Sequence, residues 1–247
     1  MSVGAGEGYD CGVSETVALN FGEPIAVFPL PGVVMLPHAA APLHIFEPRY
    51  RRMVEDAIGD GTKPPRPIAV ASIDPAADPY DRIPPVREAV CVGHIVRQHR
   101  REDGSFDIVL HGLCRAAIDR LEPATSDRPY LIGHLHAMED PTAPVKGLGS
   151  MRRQMRSLLA GPRLQRLFCV RAVMEWIDRP ELSDHGAIEL VAFAVIKNDG
   201  VRYKVLAEGD PYKRARIVWT DLERTDRLLA KAQQQVGDEP PRGVSWN

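Results

Sequence analysis

Residues 28–37 read FPLPGVVMLP, an apolar run interrupted by three prolines and a glycine. With their flanks they predict three short β-like runs, Ile25–Leu30, Val33–Leu36 and Pro42–Phe46. Proline cannot donate a backbone hydrogen bond, so this density of prolines is typical of edge strands and turns. We therefore expect the fold to open with short strands joined by tight turns.

The dipeptide Glu47-Pro48 then predicts the start of a helix, because a proline at the first helical position loses no hydrogen bond. Apolar residues recur from Tyr50 to Ile58 at the spacing of one helix face, and charged residues occupy the other face. Gly59 and Gly61 are expected to end this helix.

Further β-like runs predict that strands continue to about residue 138. The predicted strands are Ile68–Ile73, Ala89–Arg97, Ser105–Leu113, Cys114–Leu121 and Tyr130–Met138. Residues 101–104 read REDG, and the Asp-Gly pair supplies the positive φ that a tight hairpin needs.

After a linker at residues 140–149, apolar residues recur at the spacing of a helix. The predicted helices are Met151–Leu159, Leu164–Ile177, one capped by Ser183 with a nearly continuous apolar run from Ala187 to Ile196, and one or two from Asp210-Pro211 to Val236. Asp199-Gly200 is interpreted as a turn.

Composition excludes several classes of protein. The formal net charge is −2, so no whole-chain field attracts nucleic acid or an anionic membrane. The longest purely apolar run, Leu190–Ile196, is far shorter than the roughly 20 residues of a membrane-spanning helix. A secretory signal requires basic residues before its apolar segment, and no lysine or arginine precedes Arg49. We therefore predict a cytoplasmic protein. The four cysteines form no CxxC pair and predict neither disulfides nor a zinc ribbon.

The order of these motifs resembles the N-terminal domain of the Lon protease family over roughly residues 25–230. The resemblance rests on residues 28–37, on Pro42–Phe46 leading into EPRY at 47–50, on VGHI at 92–95 and on GLCR at 112–115. It implies an α+β fold, a mixed, PUA-like β pseudo-barrel with one early helix followed by a C-terminal helical bundle. The expected division is a flexible leader at 1–24, a β domain at 25–140, a helical subdomain at 145–236 and a flexible tail at 237–247.

The same resemblance implies a non-catalytic module that binds unfolded or tagged polypeptide segments, with a protease or chaperone as a further partner. The sequence contains no GxxxxGK[ST] loop to hold a triphosphate, and it ends where the Ser-Lys protease domain of Lon would begin. We therefore expect no enzymatic activity and no cofactor. The alternative is a PUA-like nucleic-acid-binding module, and the oligomeric state is left open.

Phe46, Arg49 and Tyr50 are the predicted peptide-binding residues. A groove between the barrel and the helices would place a tyrosine and an arginine where such side chains most often anchor a peptide. The alternative interpretation assigns Phe46 and Met53 to the core. Arg97, His99, Arg100 and Arg101 form a basic patch that supports the nucleic-acid alternative, although Glu102 and Asp103 neutralise its tip.

Other pairs of reactive residues predict no catalytic or metal site. His134 and His136 share one face of a strand, where a surface role is favoured over metal binding because no third ligand has diagnostic spacing. Cys91 with His94, and His111 with Cys114, are three residues apart on a strand, which places each pair on opposite faces.

Overall fold

The computed structural model describes residues 19–59, 65–78, 85–138 and 145–235. Most of the predicted leader, the predicted tail, Gly61 and residues 140–144 of the predicted linker lie outside these ranges. Within them the chain forms a β-barrel followed by a group of helices.

Six strands form one mixed sheet that closes on itself. The strands are β1 (Ile25–Leu30), β2 (Ala40–Ile45), β3 (Ile68–Ile73), β4 (Val86–Arg100), β5 (Phe106–Glu122) and β6 (Leu131–Ala137). Their order is β2-β5-β4-β3-β1-β6, and β5 also pairs with β6. Only β1 and β3 among these strands pair in parallel. The closure confirms the expected mixed pseudo-barrel.

The length of β5 makes the closure possible. Its first part pairs with β2 through residues 106–111, and its second part pairs with β6 through residues 116–122. The sequence predicted two strands here, ending and restarting near Cys114, whereas the structure contains one continuous strand. Pairing of β6 with the second part of β5 closes the barrel, and β2 pairs with the first part of β5 as an additional strand.

Alternating side chains of the barrel strands belong to two different cores. Val27, Ala69 and Val92 belong to a cluster of small aliphatic residues that these strands share, whereas Phe28 and Cys91 pack into the larger core that also contains the helices. Both faces of these strands are therefore buried, which explains why β3 is almost entirely apolar.

The run Val33–Leu36 is not a strand, contrary to the prediction. It is a buried connection in which Leu36 is 0% exposed. The hairpin at residues 101–104 is confirmed, with Gly104 at φ 79°. Helix α1 (Pro48–Ile58) is confirmed with its predicted apolar face, and Gly59 ends it at φ 66°.

Five helices follow β6. They are α2 (Leu148–Leu159), α3 (Phe168–Trp176), α4 (Asp184–Val195), α5 (Asp199–Ala207) and α6 (Pro211–Gln235), with a short 3-10 helix at Leu164–Arg166. Among the residues that the structure describes, no helix has both the length and the apolar character needed to cross a membrane.

The helical predictions hold with two corrections. Ser183 caps α4 as expected, since its side chain accepts a hydrogen bond from the backbone of Gly186. The predicted helix Leu164–Ile177 is instead divided, because Leu167 is extended between the 3-10 helix and α3. Asp199-Gly200 is not an isolated turn but the start of α5, because the Asn198 side chain caps the helix by accepting from Val201 N at 3.0 Å.

A buried ionic cluster joins the barrel to the helices. Arg115 of β5, Glu189 of α4 and Arg214 of α6 are each no more than 2% exposed. Arg115 Nη2 donates to both carboxylate oxygens of Glu189, at 2.8 and 2.9 Å. Arg214 Nε lies 2.7 Å from Glu189 Oε1. Two guanidinium groups therefore share one carboxylate, which gives elements distant in sequence a single fixed arrangement.

Candidate functional site

The three predicted peptide-binding residues lie at or beside the start of α1, in different surroundings. Phe46 is 65% exposed, so its assignment to the core was wrong, whereas Met53 is buried as expected. The ring centroid of Phe46 is 6.1 Å from that of His44. The guanidinium carbon of Arg49 is 4.5 Å from the centroid of the Tyr50 ring, and Arg49 Nε donates to Glu47 at 2.9 Å. The structure thus brings Arg49 and Tyr50 together and leaves Phe46 apart from both.

Tyr50 is mainly a packing residue. It is 7% exposed, and its ring centroid is 4.6 Å from that of Phe28. Burial raises the pKa of Tyr50, although the positive charge of Arg49 opposes this effect. Tyr50 and Arg49 also line a small cavity together with Pro29 and Tyr130. This small cavity adjoins a larger cleft, and Tyr130 lines both.

The larger cleft, here called the α1 cleft, has a volume of about 550 Å³. This volume is within the range of protein ligand pockets. Its walls are residues 19–26, one side of α1, residues 65–67, and parts of β4, β5 and β6. Its apolar lining includes Leu19, Ile25, Met53, Ala57, Leu113 and Ile132, and its polar lining includes Asp56, Arg66, His94, Glu122, Arg128 and Tyr130.

One wall of the cleft is held to α1 by a hydrogen bond. The Tyr130 hydroxyl donates to Asp56 Oδ2 at 2.8 Å. Burial, helped by this hydrogen bond, raises the pKa of Tyr130 to about 12, so the hydroxyl keeps its proton at neutral pH and remains a donor. Asp56, which sequence analysis assigned only to the polar face of α1, therefore positions a side chain of the cleft.

A second polar group lies where β5 ends. Glu122 accepts from His134 Nε2 at 2.7 Å and lies 3.5 Å from Arg128 Nη1. The hydrogen bond from His134 is the largest cause of the lowered pKa of Glu122. Arg128 Nη2 also donates to the carbonyl of Pro123 at 3.0 Å. The carboxylate and the guanidinium are thus held at the mouth of the cleft.

Two buried nitrogens of cleft residues lack a hydrogen-bond partner among the residues that the structure describes. They are His94 Nδ1 and Arg128 Nε. Buried polar atoms of this kind are rare in folded proteins, since each costs free energy unless a partner is supplied. The exposed Arg66 side chain also forms no ion pair within the described part of the chain. Because both nitrogens are buried, the donors that an incoming ligand can reach are those of Arg66 and of the Arg128 side chain, which is 29% exposed.

The structure gives no support to the catalytic and metal-binding arrangements weighed from sequence. Burial raises the pKa of the Cys91 thiol far above its usual range, which disfavours the thiolate that a cysteine nucleophile requires. His134 pairs with Glu122, whereas His136 pairs with Asp119 at 2.8 Å. No group of three or more possible metal ligands occurs among the residues described.

The basic hairpin patch is largely neutralised by its neighbours. Arg101 Nε lies 2.6 Å from Asp107, which His44 also contacts at 2.8 Å. Arg100 pairs with Glu55 of α1 at 3.3 Å. Arginines committed to carboxylates are poor phosphate ligands, so this geometry gives no specific support to the nucleic-acid alternative.

Comparison with known proteins decides the family. The family model described as the ATP-dependent protease La (LON) substrate-binding domain matches residues 24–224. The chain belongs to this family. A solved Lon N-terminal domain protein from Xanthomonas campestris has a TM-score of 0.56 at 20% identity, covering 80% of this chain and 98% of that one. The N-terminal domain of Mycobacterium avium complex Lon protease has a TM-score of 0.60 at 16% identity, covering 81% and 98%. No curated protein sequence matches the chain.

Membership of the Lon substrate-binding domain family confirms the resemblance drawn from residues 28–37 and the motifs after them. In this Lon-type domain Gly112 of the GLCR motif is needed for close packing, because a Cβ there would lie 2.5 Å from the carbonyl oxygen of Leu36. Arg115 of the same motif enters the buried ionic cluster. The α1 cleft was not predicted, because nothing in the sequence places Asp56 beside Tyr130 or brings His94 and Arg128 into one cleft.

Proposed function

We propose that this Lon-type domain binds extended polypeptide segments in the α1 cleft. The observation that carries the proposal is a cleft with an apolar lining into which two arginines, the exposed Arg66 and the half-buried Arg128, present donors. A peptide backbone presents carbonyl acceptors and N–H donors at regular intervals. Peptide carbonyls can accept from the exposed guanidinium of Arg66 and from the Arg128 side chain, which is 29% exposed.

The apolar part of the cleft favours segments with aliphatic or aromatic side chains. Such side chains are buried in folded proteins and become exposed in unfolded ones, so the cleft would favour unfolded segments. Backbone hydrogen bonds are independent of side-chain identity, which would let the site accept varied sequences. Arg49 and Tyr50 would extend the site at its narrow end, and the exposed Phe46 would provide a separate apolar contact.

The proposed role is recognition without catalysis, with transfer of the bound segment to a separate protease or chaperone. Family membership supports it, because the matched model describes a substrate-binding domain. The buried thiol of Cys91 and the separately paired histidines agree with it as well. The cytoplasmic location expected from the sequence belongs to the same proposal.

The test is binding of fluorescently labelled, unfolded peptides measured by anisotropy. We expect saturable binding by the wild-type chain, and roughly five- to 150-fold weaker binding by Arg66→Ala combined with Arg128→Ala, since each of the two lost polar contacts costs about 0.5 to 1.5 kcal/mol. The matched control is Arg216→Ala combined with Arg224→Ala, two exposed arginines of α6 that do not line the cleft. Equal affinity for the double variant and the control would refute the assignment of the cleft.

Phe46→Ser and Arg49→Ala test the sequence-predicted residues in the same assay. Weaker binding by either variant would extend the site to the start of α1. Unchanged affinity in both would restrict the site to the α1 cleft.

A further inference from the structure

A second concave surface lies on the helical part of the molecule. Its volume is about 540 Å³, and it is lined by Pro162, Gln165, Arg166, Val170, Arg171 and Met174. These residues belong to the 3-10 helix, to α3 and to the turn that precedes them. We call this surface the α3 groove. It shares no lining residue with the α1 cleft.

The α3 groove combines apolar walls with two uncommitted cations. Pro162, Val170 and Met174 supply apolar atoms, whereas Arg166 and Arg171 are exposed. Neither arginine forms an ion pair or a side-chain hydrogen bond with any residue in the described ranges. In contrast, the nearby Arg163 pairs with Asp226, and Arg156 pairs with Asp178 at 2.7 Å. The two arginines of the groove are thus available to an external anion.

The charge of this region is opposite to that of the whole chain. Residues 151–180 contain seven arginines and two acidic residues, whereas the formal net charge of the protein is −2. The excess of arginine is therefore local to α2, α3 and the connections around them. A local positive field of this kind attracts a negatively charged partner and orients its approach.

Exposed aromatic side chains lie next to the groove. Phe168, at the start of α3, is 87% exposed, and Trp176, at its end, is 39% exposed. Arg179 lies 3.9 Å from the centroid of the Trp176 ring, so one face of that ring is already covered. Large exposed apolar side chains beside arginines are typical of protein interaction surfaces.

We propose that the α3 groove docks an acidic segment of a partner protein that carries at least one apolar anchor residue. Charge complementarity identifies this occupant, because Arg166 and Arg171 can pair with carboxylates on either side of an anchor seated against Pro162 and Met174. Single-stranded nucleic acid is less well matched, since it is bound by several aromatic platforms. Here the described aromatics beside the groove are Phe168 and Trp176, one face of the Trp176 ring is covered by Arg179, and the walls of the groove are apolar.

This docking site goes beyond the peptide binding proposed for the α1 cleft and does not depend on it. The experiment uses the full chain and a panel of labelled 12-residue peptides in which aspartates or glutamates flank a single Leu, Phe or Trp. Matched peptides carry lysine in place of each acidic residue, and a 12-nucleotide single-stranded RNA is the nucleic-acid probe. Affinity is measured by fluorescence anisotropy at two salt concentrations.

The decisive variant is Arg166→Glu combined with Arg171→Glu. We expect the wild-type chain to prefer the acidic peptides over the lysine peptides, and the double variant to bind the acidic peptides at least about tenfold more weakly because attraction becomes repulsion. The control is Lys204→Glu combined with Lys213→Glu, which changes the net charge equally at exposed positions outside the groove. Since all four side chains are exposed, we expect each variant to keep the wild-type circular dichroism spectrum and melting temperature.

The outcomes separate the two proposed sites. Loss of acidic-peptide binding in the arginine variant, with unfolded-peptide binding at the α1 cleft unchanged, would support the docking site. Equal acidic-peptide affinity in the two charge variants, or no saturable binding by any acidic peptide, would overturn it. RNA binding that is tighter than peptide binding and is lost in the same arginine variant would overturn it in favour of a nucleic-acid ligand.

Discussion

Removing the carboxylate of Glu189 is the perturbation for which the structure predicts the largest loss of stability. Glu189 is 2% exposed and neutralises Arg115 and Arg214, each 1% exposed. Glu189→Ala would leave both guanidinium groups buried without their shared counter-charge. Loss of one partner from a buried ion pair costs about 3 to 5 kcal/mol, and here two cations lose the same partner, so we expect at least that range.

This loss is large compared with the stability of a typical domain. Folded domains are stable by about 5 to 15 kcal/mol in total, and each kcal/mol corresponds to roughly 2 to 4 °C in melting temperature at this chain length. We therefore expect Glu189→Ala to melt roughly 6 to 20 °C below the wild type. Urea titration followed by circular dichroism gives the free energy of unfolding, and calorimetry gives the melting temperature.

Two further variants separate buried charge from side-chain volume. Glu175→Ala, at an exposed position of α3, should change the free energy of unfolding by no more than about 0.5 kcal/mol. A charge-free triple variant with Met at 115 and 214 and Leu at 189 should be more stable than Glu189→Ala, because it buries no unpaired charge. A loss below about 1 kcal/mol in Glu189→Ala, or a triple variant less stable than it, would refute this account of the cluster.

Three smaller predictions concern packing, capping and titration. Gly112→Ala should lower the free energy of unfolding by about 1 to 3 kcal/mol in urea titrations, because the added Cβ would lie 2.5 Å from the Leu36 carbonyl oxygen. Ser183→Ala should cost about 1 kcal/mol, whereas Ser183→Asp, which can still cap α4, should cost less in the same titration. His134→Ala should raise the pKa of Glu122 toward its ordinary value of 4.5, as measured by carboxyl NMR titration. Because folding lowers this pKa, the carboxylate stabilises the fold above pH 4.5, and the contribution is lost as pH falls through the folded-state pKa.

The sequence predicted elements whose signals are local. The apolar period of α1, its proline start and its glycine end all lie within about a dozen residues, and the hairpin depends on a single Asp-Gly pair. The turn predicted at Asp199-Gly200 failed because a turn dipeptide can also open a helix. The Asn198 side chain caps α5 by accepting from Val201 N, and this hydrogen bond makes the helical conformation available.

Other predictions were wrong because contacts between residues distant in sequence determine the structure there. Val33–Leu36 has the composition of a strand, but it pairs with no described strand and is buried as a connection. The predicted strands on either side of Cys114 are one strand, because β2 and β6 pair with successive parts of β5. These outcomes depend on which strands are neighbours in the barrel, and no local pattern in the sequence carries that information.

The residues that carry the family resemblance are mostly different from those that line the proposed binding surfaces. Family membership therefore determines the fold more firmly than the ligand. Phe28, Gly112 and Arg115 carry much of the resemblance to Lon N-terminal domains, and all three serve packing: an aromatic contact, a close backbone approach and a buried ion pair. Most polar groups of the α1 cleft lie outside the recognised motifs, as do Arg166 and Arg171 of the α3 groove. The recognised motifs therefore account for the fold, whereas the ligands proposed for this chain rest on side chains of its own cleft and groove.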